Sequence, residues 1–232
     1  MLQYSATNRL LMKMRELLNM KTLYLLRHSQ LTQSNMQASI EAFVKKTDLN
    51  PNLIYQAARQ QGGLPLNSYS PEEINQISSG AIYLFKTGKI TEAEFVTRMN
   101  QTIGTNLNFD TFKECWNAMC TIQPKTVEFL RKIENLQKEN SFSIHVVGNT
   151  NSMHDNYINE QFRQENINLE MTHTYSFEEG KFDPEPLKKL IDMLSEGFNI
   201  IDLRNTADLL EEFSKAKQQQ AATKLGCRFT PQ

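Results

Sequence analysis

The dipeptide Arg27-His28, followed by Ser29 and Gln30, comes directly after the apolar run Thr22-Leu23-Tyr24-Leu25-Leu26. A guanidinium can grip an anion through paired N–H groups, and an imidazole beside it can help to hold the same charge. The plainer reading makes His28 a polar loop residue bonded to backbone. Cys115 and Cys120 are badly spaced for a zinc knuckle, and no nearby histidine pair supports one. With Cys227 they make an odd total of three cysteines in a chain of 232 residues, too few and too unpaired for a disulfide framework. Buried thiols in a reducing compartment are the expectation.

The elements that must position these groups are legible in outline. An apolar run without alternation, such as Thr22 to Leu26, suits a strand covered on both faces, and parallel sheets carry their sites at the C-terminal ends of such strands. From about Met36 to Met119 the signals are helical. Ile40, Phe43 and Val44 share a face, Ser70 before Pro71-Glu72-Glu73 reads as an N-cap, and Thr91 with Glu94 reads as a capping box. Gly62-Gly63-Leu64-Pro65 and Thr87-Gly88-Lys89 divide this stretch into helices, and Phe109, Phe112, Cys115 and Trp116 share one side of its last helix. Beyond Pro124 helices alternate with strands at Phe142 to Val147, Met171 to Tyr175, Phe198 to Leu203 and Cys227 to Thr230, which implies right-handed crossovers and a parallel sheet.

Charge and hydropathy exclude other classes. The 25 Lys+Arg and 26 Asp+Glu leave a net charge of −1, so no basic surplus invites nucleic acid. No run approaches the roughly 20 apolar residues of a spanning helix. Leu10, Leu11, Met14, Leu17 and Leu18 form the stripe of an amphipathic N-terminal helix over residues 1–20, expected to pack on the body. That segment lacks the compact apolar block of a secretory signal, so a cytoplasmic location is expected. Export without a cleavable leader would leave no such mark.

The order of strand, helical insertion and helix–strand units resembles the haloacid-dehalogenase-like (HAD) hydrolases, most of all their sugar-phosphate phosphatase branch with a helical cap. The local sequences that carry the likeness are Lys86-Thr87-Gly88-Lys89-Ile90-Thr91 with Glu94-Phe95, Cys115-Trp116-Asn117-Ala118-Met119, and Val146-Val147-Gly148-Asn149-Thr150-Asn151. Gly180-Lys181-Phe182-Asp183-Pro184-Glu185 looks like the family's Lys-Pro-Asp-Pro segment, and Ile200-Ile201-Asp202 like its last acidic strand; the resemblance spans residues 21–230. In that family an aspartate just past the first strand attacks phosphorus, with an acidic residue or a backbone carbonyl two positions later. Leu26 and His28 stand at those positions, and no Asp or Glu lies between Glu16 and Glu41. A leucine offers no lone pair, so the covalent step cannot run there. The second motif's Ser or Thr is Gly148, with Asn149 and Thr150 beside it; the third motif's lysine is Lys181; of the magnesium-holding acids only Asp202 remains, next to Leu203. One aspartate near Arg27 and His28 is a poor magnesium site.

Leu23 to Gln30 also looks like the first motif of the histidine phosphatase and phosphoglycerate mutase family, in which the histidine is phosphorylated and arginines hold the phosphate. Ser29 replaces that family's glycine, and no later strand ends in Ser-His-Gly.

The expected fold is α/β: a Rossmann-like parallel core over residues 21–32 and 121–232, an inserted helical cap over 33–120, and the N-terminal helix. The expected function is a catalytically degenerate HAD-like protein in a binding or regulatory role. Arg27, His28, Asn149, Thr150, Lys181 and Asp202 line its vestigial phosphate cleft, with Arg27 paired to Asp202. The alternative is a weak metal-independent phosphatase or phosphotransferase using His28 with Arg27. No cofactor is expected, magnesium binding being lost, and the partner is a small anionic ligand or a protein.

Overall fold

In a computed structural model of the chain, residues 22–26, 31–139, 143–185 and 187–188 are described. The expected N-terminal helix, Arg27, His28, Asp202 with its strand, and the final strand at Cys227 lie outside the described residues.

Strand β1 (Thr22–Leu26) opens the described chain, and β2 (Gln33–Ser34) leads into a helical segment of six helices. These are α1 (Met36–Thr47), α2 (Pro51–Gln60), α3 (Pro71–Ile77), α4 (Ala81–Lys86), α5 (Glu92–Ile103) and α6 (Phe109–Asn117). Their starts are written locally. Asn35, Asn50, Ser70, Thr91 and Asn108 each accept a backbone N–H of the first turn, and Ser70/Glu73 and Thr91/Glu94 complete reciprocal capping boxes. The apolar faces so fixed meet in one cluster, where Phe95 stacks on Phe85 at 4.3 Å and meets Phe112 and Trp116 edge-on at 5.7 and 4.9 Å. Phe109 departs from the expected side and is exposed, with Lys113 over its ring.

The segment is not helical to its ends. Strand β3 (Cys120–Thr121) pairs antiparallel with β2, Gln33 opposite Thr121 and Ser34 opposite Cys120, and the Asn35 N–H donates to the Met119 carbonyl at 2.8 Å. The chain thus leaves and re-enters the sheet region through a single two-stranded tie.

Helix α7 (Pro124–Glu139), β4 (Ser143–Gly148), α8 (Ser152–Gln164), β5 (Met171–Tyr175) and the short α9 (Ser176–Glu179) follow. The three long strands form a parallel sheet in the order β1-β4-β5, with Leu26 beside Val147 and Gly148 beside Tyr175. Leu25, Ile144 and Val146 share a buried cluster with Phe129, Leu130 and Ile133 of α7 and Ile158 and Phe162 of α8. Both crossover helices therefore cover the face to which these residues point, as successive right-handed crossovers in one direction require. His145, one residue out of phase, points to the other face and is held by Thr172 and Thr174 at 2.8 and 2.9 Å. The core is a Rossmann-like α/β sheet.

Candidate functional site

All three parallel strands end along one edge, and the helical segment sits against it. The loop after β4 carries Asn149, Thr150 and Asn151. Asn149 makes a reciprocal clamp: its amide nitrogen donates to the Asp183 carboxylate at 2.7 Å, and its oxygen accepts the Asp183 N–H at 2.9 Å. This fixes the segment Lys181-Phe182-Asp183 to the strand end, with Asp183 in the left-handed region at φ 48°. Lys181 follows Gly180, the left-handed cap of α9 at φ 71°, and its N–H returns to the Ser176 carbonyl at 3.2 Å. Its side chain is exposed.

Thr150 is 1% exposed; its N–H donates to Ser176 Oγ at 3.1 Å, yet its own hydroxyl has no hydrogen-bond partner. Ser176 Oγ in turn donates to the carbonyl of Lys86 at 2.7 Å, so one hydroxyl ties both sheet loops to the end of α4. Asn151 caps α8 by accepting the His154 N–H at 3.0 Å, which turns its NH₂ toward His154 Nδ1, also at 3.0 Å. Nδ1 is thereby an acceptor, and Nε2 carries the proton it directs at the Trp116 carbonyl, 3.3 Å away. The His154 and Trp116 rings stack at 5.1 Å. His154 is a strut between α8 and the helical segment. Ser152 adds a 2.6 Å bond to Glu92, and Tyr83 packs on Phe182 at 4.9 Å.

Gly88 marks how close this seam is. It has φ 63°, and a Cβ there would stand 2.0 Å from the Phe177 carbonyl oxygen. Beside it a cavity of about 400 Å³ opens between Phe85, Lys89, Glu92, Ser152 and Phe177.

Lys86 was not singled out by sequence. Its ammonium makes no hydrogen bond or ion pair among the described residues, and burial pushes its pKa down to about 8; the nearby Cys120 thiol opposes this weakly. A lysine closing the apolar helix Ala81-Ile82-Tyr83-Leu84-Phe85 was the available signal, and it is a weak one. Of the six expected site residues, Asn149, Thr150 and Lys181 are described, and the clamp brings the segment of the third to the loop of the first two.

Two solved structures of a HAD family enzyme from Bacteroides thetaiotaomicron superpose on the chain at TM-scores of 0.52 and 0.51, each at 19% identity. The first covers 79% of this chain and 81% of that one, the second 78% and 80%. The fold is the HAD-like one. No protein-family model and no curated protein matches the sequence. The second of those structures is a variant in complex with magnesium and inorganic phosphate. Here the described part of the HAD-like sheet edge offers an amide, hydroxyls and one carboxylate that the Asn149 amide already engages. Among the described residues no three His, Cys, Asp or Glu side chains gather. No helix among the described residues is long and apolar enough to cross a membrane.

Proposed function

We propose that this chain is a binding protein built on the HAD-like fold, which holds a small phosphate-bearing ligand at the sheet edge without phosphoryl transfer to an aspartate and without magnesium. The observation that carries the reading is Leu26. It ends β1 in register with Val147, one position before the Gly148-Asn149-Thr150 loop. That is the position from which the resembled hydrolases attack phosphorus, and a leucine side chain has no nucleophile to offer. The Asn149–Asp183 clamp supports the binding half of the reading, since it holds the Lys181 segment at the same edge. In this reading the helical segment acts as a cap. A cytoplasmic location goes with it, because Cys115 is a buried free thiol.

The test is turnover. Purified protein with p-nitrophenyl phosphate and a panel of sugar phosphates, with and without Mg²⁺, is expected to release no phosphate above a His28→Ala, Lys181→Ala control. Calorimetry with the same compounds is expected to detect binding. Magnesium-dependent turnover overturns the reading; metal-independent turnover abolished by His28→Ala alone replaces it with histidine-phosphatase-like chemistry.

A further inference from the structure

The imidazole of His154 sits where a second proton has no acceptor. The chain of donors that fixes this starts from the backbone. The His154 N–H can only donate, so the atom it meets at 3.0 Å is Asn151 Oδ1, and the amide is thereby oriented. The Asn151 NH₂ is then the group 3.0 Å from His154 Nδ1, and that nitrogen must accept. Nε2 carries the ring's proton and donates to the Trp116 carbonyl at 3.3 Å. That carbonyl lies in the last turn of α6, where no helical N–H reaches it, so the imidazole of another element serves as its partner. His154 is 4% exposed, and its ring lies on the Trp116 ring with the planes 13° apart.

An added proton would enter at Nδ1, where an N–H of Asn151 already points. Turning the Asn151 amide over does not relieve this. Nδ1–H would gain an acceptor, but the NH₂ would then face the His154 N–H and the cap of α8 would be lost. Either way two buried donors meet, and a charged ring has to leave. Around it, among the described residues, stand Asp155 on α8, which accepts from Asn159 at 3.0 Å, and Glu92 on α5, which accepts from Ser152 at 2.6 Å. Cys115 on α6 and Cys120 on β3 gain no charge in acid. The two carboxylates and the end of α6 favour positive charge through their fields. A ring nitrogen has one in-plane position for a partner, however, and at Nδ1 the Asn151 amide fills it.

We propose that His154 is a proton-sensitive pin between α8 and the helical segment. Neutral, it locks α6 to α8; protonated in mild acid, the ring swings out and the contact with Trp116 opens. The inference is independent of which ligand the sheet edge takes. A released histidine takes up its proton near about pH 6.5. The locked ring does not, so below that value the open form binds more protons and its population gains up to about tenfold per pH unit. Above it the lock is indifferent to pH.

Trp116 is the chain's single tryptophan, so its emission reads this contact. The experiment records emission and acrylamide quenching of the full chain from pH 8 to 5, with far-ultraviolet circular dichroism alongside. The expected result is a red shift and a severalfold rise in quenching below about pH 6.5, with helix content kept. His154→Gln has no titrating ring and is expected to stay flat over the range. Asn151→Asp keeps an N-cap and offers two acceptor oxygens, one for the backbone N–H and one for Nδ1–H. It is expected to abolish the transition in a chain that still carries His154, and it serves as the test if His154→Gln fails to fold. Emission indifferent to pH overturns the proposal, and so does dimmer emission without greater acrylamide access, since the ring would then be charged in place. A transition that survives either variant, or that coincides with loss of helix, overturns it as well.

Discussion

Replacing Lys86 by methionine removes the seam's unpaired charge while keeping an unbranched chain of similar reach. Burial holds the folded amine at about 8, against 10.5 for a free lysine. At roughly 1.4 kcal/mol per pH unit, keeping that amine charged costs the folded state on the order of 3 kcal/mol. The residue is half-buried rather than sealed, so water screens part of this and about 1–2 kcal/mol is the expectation. The folded amine sheds its proton near pH 8, whereas the unfolded one keeps it to 10.5. Between those values the unfolded state binds more protons, so stability rises with pH. The penalty is fully present below the folded pKa and fades as pH climbs toward the unfolded one. Urea unfolding of Lys86→Met beside the unaltered chain should therefore show a variant more stable by about 1–2 kcal/mol at pH 7. The gap should close between pH 8 and 10. A variant less stable at pH 7, or a gap indifferent to pH, would refute the premise that the ammonium is desolvated and unpaired.

Three further outcomes follow from the same seam. Thr150→Val replaces a buried hydroxyl that has no partner by a methyl of the same shape, and should raise the urea midpoint by the equivalent of about 1 kcal/mol; a loss of that size would mean the hydroxyl is bonded. Asn149→Ala cuts both bonds to Asp183, one of them to a carboxylate, and should cost about 1.5–3 kcal/mol. A double-mutant cycle with Asp183→Ala should recover most of that as coupling energy, and additive losses would count against the clamp. Gly88→Ala sets a Cβ 2.0 Å from a main-chain oxygen at φ 63°, so the helical segment must move off Phe177. Thermal unfolding should register a loss on the order of 3 kcal/mol or more, and a neutral result would show that this contact is not close.

What was legible in the sequence was local. The capping boxes at Ser70 and Thr91, the glycine break at Gly88 and the apolar run of β1 are each set by neighbours within a few residues. The β2–β3 tie was not legible, because two residues at each end give no periodicity and their partners lie more than eighty positions away. Asn149 and Lys181 were reached only through resemblance. Nothing local says that Asn149 would clamp Asp183 from 34 positions away or that Ser176 would anchor Lys86 from 90. Lys86 escaped for the same reason: a lysine in a helix's last turn normally complements the helix dipole in water, and only the tertiary contact half-buries it.

The distribution of unmet polar groups bears on whether the sheet edge is a relic. Among the described residues the buried side-chain atoms without a hydrogen bond are Trp116 Nε1, Asn117 Oδ1, Thr150 Oγ1 and Gln161 Nε2. Two of these four belong to residues of the seam, since the Thr150 and Lys86 main chains are bridged by Ser176 and the Trp116 carbonyl takes His154. Each costs about 1–3 kcal/mol, and the Lys86 charge adds to them. A HAD-like frame that had only to stay folded would be more stable with valine at 150 and methionine at 86. Local violations of this kind are expected where a protein binds something, because the ligand completes what the fold leaves open. In the binding reading proposed above, the Thr150 hydroxyl is a group that a ligand would complete, which points the opposite way from decay.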